Sequence, residues 1–337
     1  MTVSHRKLRR MDITPLLWPN RRVLVALILS LGQSVVGSME ARGQEKRIII
    51  CYVERDLNNL PPLVAEAKGY FREAGFATQI VQVRTAVSTA AILSGAIDYH
   101  TSFASTIQRA MQGAPLRGLL TMVERPNFYL VSRPEIRTVA DLRGKIIGVG
   151  SLGSINSIIA HQVLAHHGIP ADAVTIMAAG DFQTRMAALK SGTIHAAMAV
   201  PPAPVHVREW GFNVLAFAGD YVDLPLAGLS TTVNKLKTSR SEVVAVITPI
   251  LRALQLMKSN RSETVLHIQK FLKVEKKLAE AAYDLSVKAF SATGSVSAKG
   301  IQNIMDMAPA GINRPVSLTD VVDFGPLKEA QAALGIR

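Results

Sequence analysis

The chain has 337 residues, 48% hydrophobic, 19% charged and 5% aromatic, with a net charge of +13. That apolar fraction is enough for a packed core and excludes a largely disordered chain, and the length suits about two domains. With one cysteine no internal disulfide can form, and the absence of Lys/Arg-rich runs interleaved with aromatics after residue 43 argues against nucleic-acid binding.

Basic residues Arg6, Lys7, Arg9, Arg10, Arg21 and Arg22 lead into an apolar run over 23–36, followed by small and polar residues. This reads as a signal peptide over 1–43, with Ala41 and Gly43 as the small pair before cleavage. The run is short of the roughly twenty residues of a membrane span, and an uncleaved anchor is the alternative. Residues 1–43 carry +5 of the charge and leave +8 on the rest. A basic exterior explains that remainder, and an anionic ligand or surface would exploit it. No later segment is long and apolar enough for a bilayer helix, so the rest is expected to be an exported, periplasmic bacterial protein.

From residue 46, short β-branched runs alternate with helical patterns, the mark of an α/β protein with largely parallel sheets. A strand is predicted over 46–53, with Cys51 a buried strand thiol, then a helix carrying Leu63, Val64, Ala67 and Phe71 on one face. Further units are a strand over 78–83, a helix over 87–93, a strand over 96–100, a helix from Ser102 to about Gln112 and a strand over 116–123. A second set of such units starts near Phe128: strand 145–149, helix 156–167, strand 174–177, helix 182–190 and strand 193–199. Leu93-Ser94-Gly95 and Lys190-Ser191-Gly192 end helices in the same way, each glycine serving a left-handed turn. After an extended piece over 229–233 come amphipathic helices near 241–258, 262–271, 276–290 and 297–307.

Several segments resemble the nitrate/sulfonate/taurine and pyrimidine-precursor binding family, the SsuA-like or NMT1/THI5-like substrate-binding proteins. They are Pro62-Leu63-Val64-Ala65-Glu66-Ala67-Lys68-Gly69-Tyr70-Phe71, Ser94-Gly95-Ala96-Ile97-Asp98-Tyr99, Asp141-Leu142-Arg143-Gly144-Lys145, Ala188-Leu189-Lys190-Ser191-Gly192 and Val322-Asp323-Phe324-Gly325-Pro326. His195 replaces the family's acidic residue, and Val200 replaces its aromatic before Pro201. The resemblance implies a type II periplasmic-binding-protein fold: two doubly wound α/β lobes joined by two crossover strands, with C-terminal helices. Lobe 1 would take 46–123 and 228–337, and lobe 2 would take 124–227 with hinge crossovers at both ends. It implies a small-molecule solute delivered to the permease and ATPase of an ABC importer, with no catalysis, cofactor, metal or nucleic acid, and the membrane met only through the permease or an uncleaved signal. The solute classes would be sulfonate, nitrate, carboxylate or pyrimidine precursor. A ligand-sensing receptor is an alternative on the same fold.

In open α/β sheets ligands sit beyond the carboxyl ends of strands, where helix N-termini offer unpaired N–H groups. Three loops fit. In 54–59, Arg55 could pair with an acidic group and Asn58 or Asn59 could hydrogen-bond, although a solvated turn has equal claim. At the head of the next helix, Ser102, Phe103 and Ser105 could receive an oxyanion, and simple capping by Ser102 explains it as well. The loop with Ser151, Gly153 and Ser154 is the strongest of the three. Asp181 is first an N-cap and second a ligand acceptor, Pro201 shapes a cleft wall, and Arg125 near the first crossover is either a hinge residue or an anion contact.

Gly148-Val149-Gly150-Ser151-Leu152-Gly153 matches the G-x-G-x-x-G dinucleotide fingerprint, which makes an NAD-binding oxidoreductase the sharpest rival. The ribose-binding acid that should end the next strand is absent: Asp172 precedes that strand and Asp181 lies well past it. His161, His166 and His167 lack the i, i+4 ligand spacing, and neither G-x-S-x-G nor H-E-x-x-H occurs, so metal and hydrolase chemistry have no foothold.

Overall fold

The computed structural model describes residues 45–53, 55–83, 85–180, 182–307 and 315–336. The signal-peptide reading of 1–43 and the ligand candidate Asp181 lie outside them. In the first sheet, Ile48 and Ile50 of β1 (Lys46–Tyr52) point into the core, and the strand pairs in parallel with β2 (Phe76–Gln82) and β3 (Tyr99–His100). Adding β4 (Leu116–Thr121) and β10 (Gly228–Thr232) gives the order β2-β1-β3-β10-β4. The second sheet has the order β7-β6-β8-β5-β9, from β5 (Tyr129–Ser132), β6 (Ile146–Val149), β7 (Thr175–Ala178), β8 (Ala196–Ala199) and β9 (Asn213–Phe217).

Each sheet is largely parallel, as expected, with one reversed strand: β10 is antiparallel to β3 and β4, and β5 is antiparallel to β8 and β9. The reason is connectivity. A strand reached through a helical crossover within one sheet runs parallel to its predecessor. By contrast β5 and β10 enter from the other sheet, starting at the edge where the parallel strands end, and so they run backwards. The two connecting segments lie side by side, with Val123 N–H donating to Ala227 O and Leu226 N–H to Val123 O. Connections and carboxyl ends of the parallel strands therefore share one edge of each sheet.

Helices cover the sheets. The sequence predicts one helix through Phe71, but Gly69 at φ 74° divides it into α1 (Leu60–Ala67) and α2 (Tyr70–Glu73). Next come α3 (Thr85–Leu93), α4 (Phe103–Met111), α5 (Ile155–His166), α6 (Phe182–Ser191) and α7 (Ala203–Glu209). After β10 the chain is helical: α8 (Val233–Thr238), α9 (Arg240–Ser259), α10 (Arg261–Leu272), α11 (Lys276–Ser286), α12 (Ala298–Asp306) and α13 (Gly325–Leu334). Among these, α9 packs on α1 and α13. No helix among the described residues is long and apolar enough to cross a membrane.

One apolar cluster joins Ile48, Phe71 and Leu119 to Val246 and Leu254 of α9 and continues to Val131 and Ala197 of the second sheet. A second joins Ile107 of α4 to Ile147 and Ile159. Each such side chain contributes about 1.5–3 kcal/mol on burial.

Candidate functional site

Three of the candidate loops and both connections sit at the carboxyl edges. After β1, Asp56 organises a polar cluster. Its carboxylate accepts from Asn58 N–H at 3.1 Å, Asn58 Nδ2 at 3.1 Å and Asn59 Nδ2 at 2.9 Å. Because a carboxylate only accepts, each amide must turn its nitrogen toward Asp56 and its oxygen away. Asn59 Oδ1 then accepts from the Thr101 hydroxyl, and Asn58 Oδ1 accepts from Asn127 Nδ2 at 3.4 Å. Asn127 Nδ2 also reaches Ser286 Oγ at 3.2 Å. The relay ends on Asn127 Oδ1, which is buried and has no hydrogen-bond partner among the described residues, in a residue 1% exposed. A buried acceptor left empty is costly and calls for a water or ligand donor.

The relay draws Asn58 and Asn59 together with Thr101, the neighbour of Ser102. Both asparagines are buried, at 7% and 8% exposure, so they are not the residues of a solvated turn. Arg55 is exposed and lies over the Phe271 ring at 5.5 Å, a cation–π contact. Ser102 holds the N-cap position of α4, yet its side chain caps nothing. Its carbonyl takes both the Thr106 N–H and the Thr106 hydroxyl. Ser105 is exposed on α4. The ring of Phe103 belongs to the core instead: it is 0% exposed and wedged where a side chain on Gly118 or Gly228 would otherwise lie.

In the second sheet the chain turns sharply after β6. Gly153 has φ 71°, and Ser151 and Gly153 are exposed. The Ser154 hydroxyl lies between two acceptors, Ser151 O and Asn156 Oδ1, and so faces its own loop while α5 starts without a side-chain cap. Uncapped N–H groups at the head of a twelve-residue helix concentrate positive potential. Arg185 on α6, overlooked in the sequence, adds a formal charge. It is 7% exposed and donates to Gly180 O at 2.8 Å, and a Cβ on Gly150 would stand 3.3 Å from its Nη1 and 3.2 Å from Asn156 Nδ2. Its sequence signal was weak, a lone arginine inside a helix.

The three fingerprint glycines thus have separate local reasons. A Cβ on Gly148 would strike Ile194 Cδ1 at 2.5 Å, Gly150 makes room for Arg185 and Asn156, and Gly153 takes the left-handed turn. Pro201 is buried after β8, beside the β6 loop in sheet order, and is joined to Pro202 by a cis peptide. Arg125 is exposed on the first connection, its Cβ 3.0 Å from the place a Gly219 Cβ would take on the second. Two buried titratable groups flank the first-sheet cluster. Burial pushes the Cys51 thiol up to about 12, and His100, whose Nε2 is 2.7 Å from Thr106 Oγ1, is pushed down to about 4 by burial. Among the described residues no group of His, Cys, Asp and Glu could hold a metal ion.

The NMT1/THI5-like family profile matches residues 57–264. No curated protein sequence matches the chain. A putative periplasmic sulfonate-binding SsuA from Methylobacillus flagellatus superposes with a TM-score of 0.71 at 16% identity, covering 87% of this chain and 96% of its own. The alkanesulfonate-binding SsuA from Xanthomonas axonopodis, bound to MOPS, gives 0.62 at 18% identity over 78% and 91% of the two chains. The periplasmic nitrate-binding NrtA from Synechocystis gives 0.68 at 13% identity over 86% and 89%. These likenesses establish a periplasmic-binding-protein fold.

Proposed function

The chain belongs to the NMT1/THI5-like family, and from that premise we propose that it is an extracytoplasmic solute receptor that delivers a small organic anion to an ABC importer. The observation that carries the anionic preference is the convergence at the β6 loop of the uncapped α5 N-terminus, buried Arg185 and the bare backbone of Gly150. The first sheet offers the opposite chemistry, a neutral amide relay ending on the Asn127 acceptor. A solute held between them would present an oxyanion to the second lobe and a hydrogen-bond donor to the first. Amino- or hydroxy-sulfonates and amino- or hydroxy-carboxylates meet both demands, whereas nitrate and a neutral pyrimidine precursor each meet one.

In this reading the lobes are 46–123 with 228–337, and 124–227. The paired segments around Val123 and Ala227 form the hinge, and the closed form docks on a permease served by an ATPase. Closure follows from a ligand's higher affinity for the form in which both lobes touch it. Binding without turnover fits the sulfonate- and nitrate-binding neighbours, and their periplasmic location supports an exported receptor.

Thermal unfolding against sulfonates, nitrate, carboxylates, pyrimidines and NAD tests the proposal, since a ligand of the folded state raises its Tm. A rise with one anion class that is lost in Ser154→Ala or Arg185→Gln supports it. A rise with NAD alone, or no rise with any solute, overturns it.

A further inference from the structure

We propose a second ligand site, for an amphipathic organic anion, in a cavity of about 660 Å³ on the first sheet at the edge opposite the proposed cleft. Topology fixes its place. β10 is antiparallel to both β3 and β4, so β4 runs parallel to β3, and Arg117 at the start of β4 lies at the amino edge. The loops around Asn59 and Ser102 lie at the carboxyl edge. α8, which follows the end of β10, supplies another wall.

The size falls in the range of about 300–1,000 Å³ of small-molecule sites. Leu236, Ile301, Leu318 and Phe324 make the walls apolar, and Arg117, Lys237, Arg240 and Asp323 supply the charges. Two of these four are occupied with each other. Arg240 pairs with Glu329 at 2.6 Å and with Asp323 at 3.7 Å, while Asp323 also accepts the Gly325 N–H at 2.9 Å. Arg117 donates to the Leu116 carbonyl at 2.8 Å and has no carboxylate partner among the described residues, and Lys237 is exposed and has none either. Two unneutralised cations against low-dielectric walls attract an anion more strongly than they would in open water. The matching ligand has a carboxylate or sulfonate head on an aliphatic or aromatic body, the head between Arg117 and Lys237 and the body along Leu236 and Phe324. This site is independent of the proposed cleft and shares no residue with it.

Calorimetry with octanoate tests the site, with octan-1-ol as the uncharged comparison. We expect saturable one-to-one binding of octanoate, at least tenfold tighter than the alcohol. Lys237→Glu, at an exposed position, should weaken it tenfold or more. Ala298→Trp, which fills the cavity from an exposed wall position, should abolish it while circular dichroism stays native. Ser154→Ala should leave it unchanged. The proposal fails if octanoate does not saturate, if octanol binds equally, if neither Lys237→Glu nor Ala298→Trp has an effect, or if Ser154→Ala removes the binding and so places it in the cleft.

Discussion

Replacing Asp56 by Ala should destabilise the protein by about 3 kcal/mol, although the residue is only half-buried. The carboxylate receives three donors, at 2.9, 3.1 and 3.1 Å, from two asparagines that are themselves buried. A buried donor without its acceptor costs about 1–3 kcal/mol. Water reaching the Asp56 position repays part of that, so about 1 kcal/mol per donor is appropriate. Asp56→Asn should recover little, because its amide nitrogen would face the nitrogens of Asn58 or Asn59. Arg55→Ala, one residue away and exposed, should cost under about 0.5 kcal/mol. Urea unfolding with an unchanged m-value measures all three. If Asp56→Ala lies within about 0.5 kcal/mol of the parent, the relay does not anchor the loop and the orientation assigned to Asn127 falls with it.

Burial holds the His100 pKa near 4 in the fold against 6.5 unfolded, so the unfolded chain binds the extra proton between those values. The corresponding stability is complete above about pH 6.5 and declines toward pH 4, by on the order of 3 kcal/mol, and His100→Gln should flatten that limb of a pH series of urea midpoints. Glu242 is opposed by burial, which raises its pKa, but Lys235 and Lys46 outweigh this and hold it below the usual carboxylate range. Its stabilisation is therefore present above the unfolded carboxylate pKa and lost as pH falls through the lower folded value. Glu242→Gln should cost about 3 kcal/mol at neutral pH, the low end for a broken buried pair because Lys235 keeps Asp98, and should remove that acid limb in the same series. A methyl on Gly118 would sit 2.5 Å from Phe103 Cε2, so Gly118→Ala should cost about 2 kcal/mol. The penalty should shrink in a Phe103→Leu background, which a double-mutant cycle by urea denaturation would show.

Local signals made the alternation of strands and helices legible, down to the shared turns at Gly95 and Gly192, with φ of 77° and 85°. Prolines hid α7, which begins between Pro202 and Pro204, and the short β9 that follows it had no flanking pattern to mark it. The one reversed strand in each sheet was not visible either, because strand direction depends on which sheet the chain has just left. In the site, loop positions could be read from topology, but roles could not. Asn59 meets Thr101 across 42 residues and Asn58 meets Asn127 across 69, so no local pattern announces the relay. Phe103 looked like a binding residue from its place beside Ser102, and only its packing over Gly118 and Gly228 shows it to be core.

A solute gripped from both lobes at once slows hydrogen exchange in both, so exchange reports the grip directly. With a panel anion that raises the Tm, slowed exchange is expected together in 55–59, in 101–106 around Ser102 and in 151–157 around Ser154, while 233–240 stays unchanged. Protection confined to one of the two lobes, or to 233–240 alone, would contradict it.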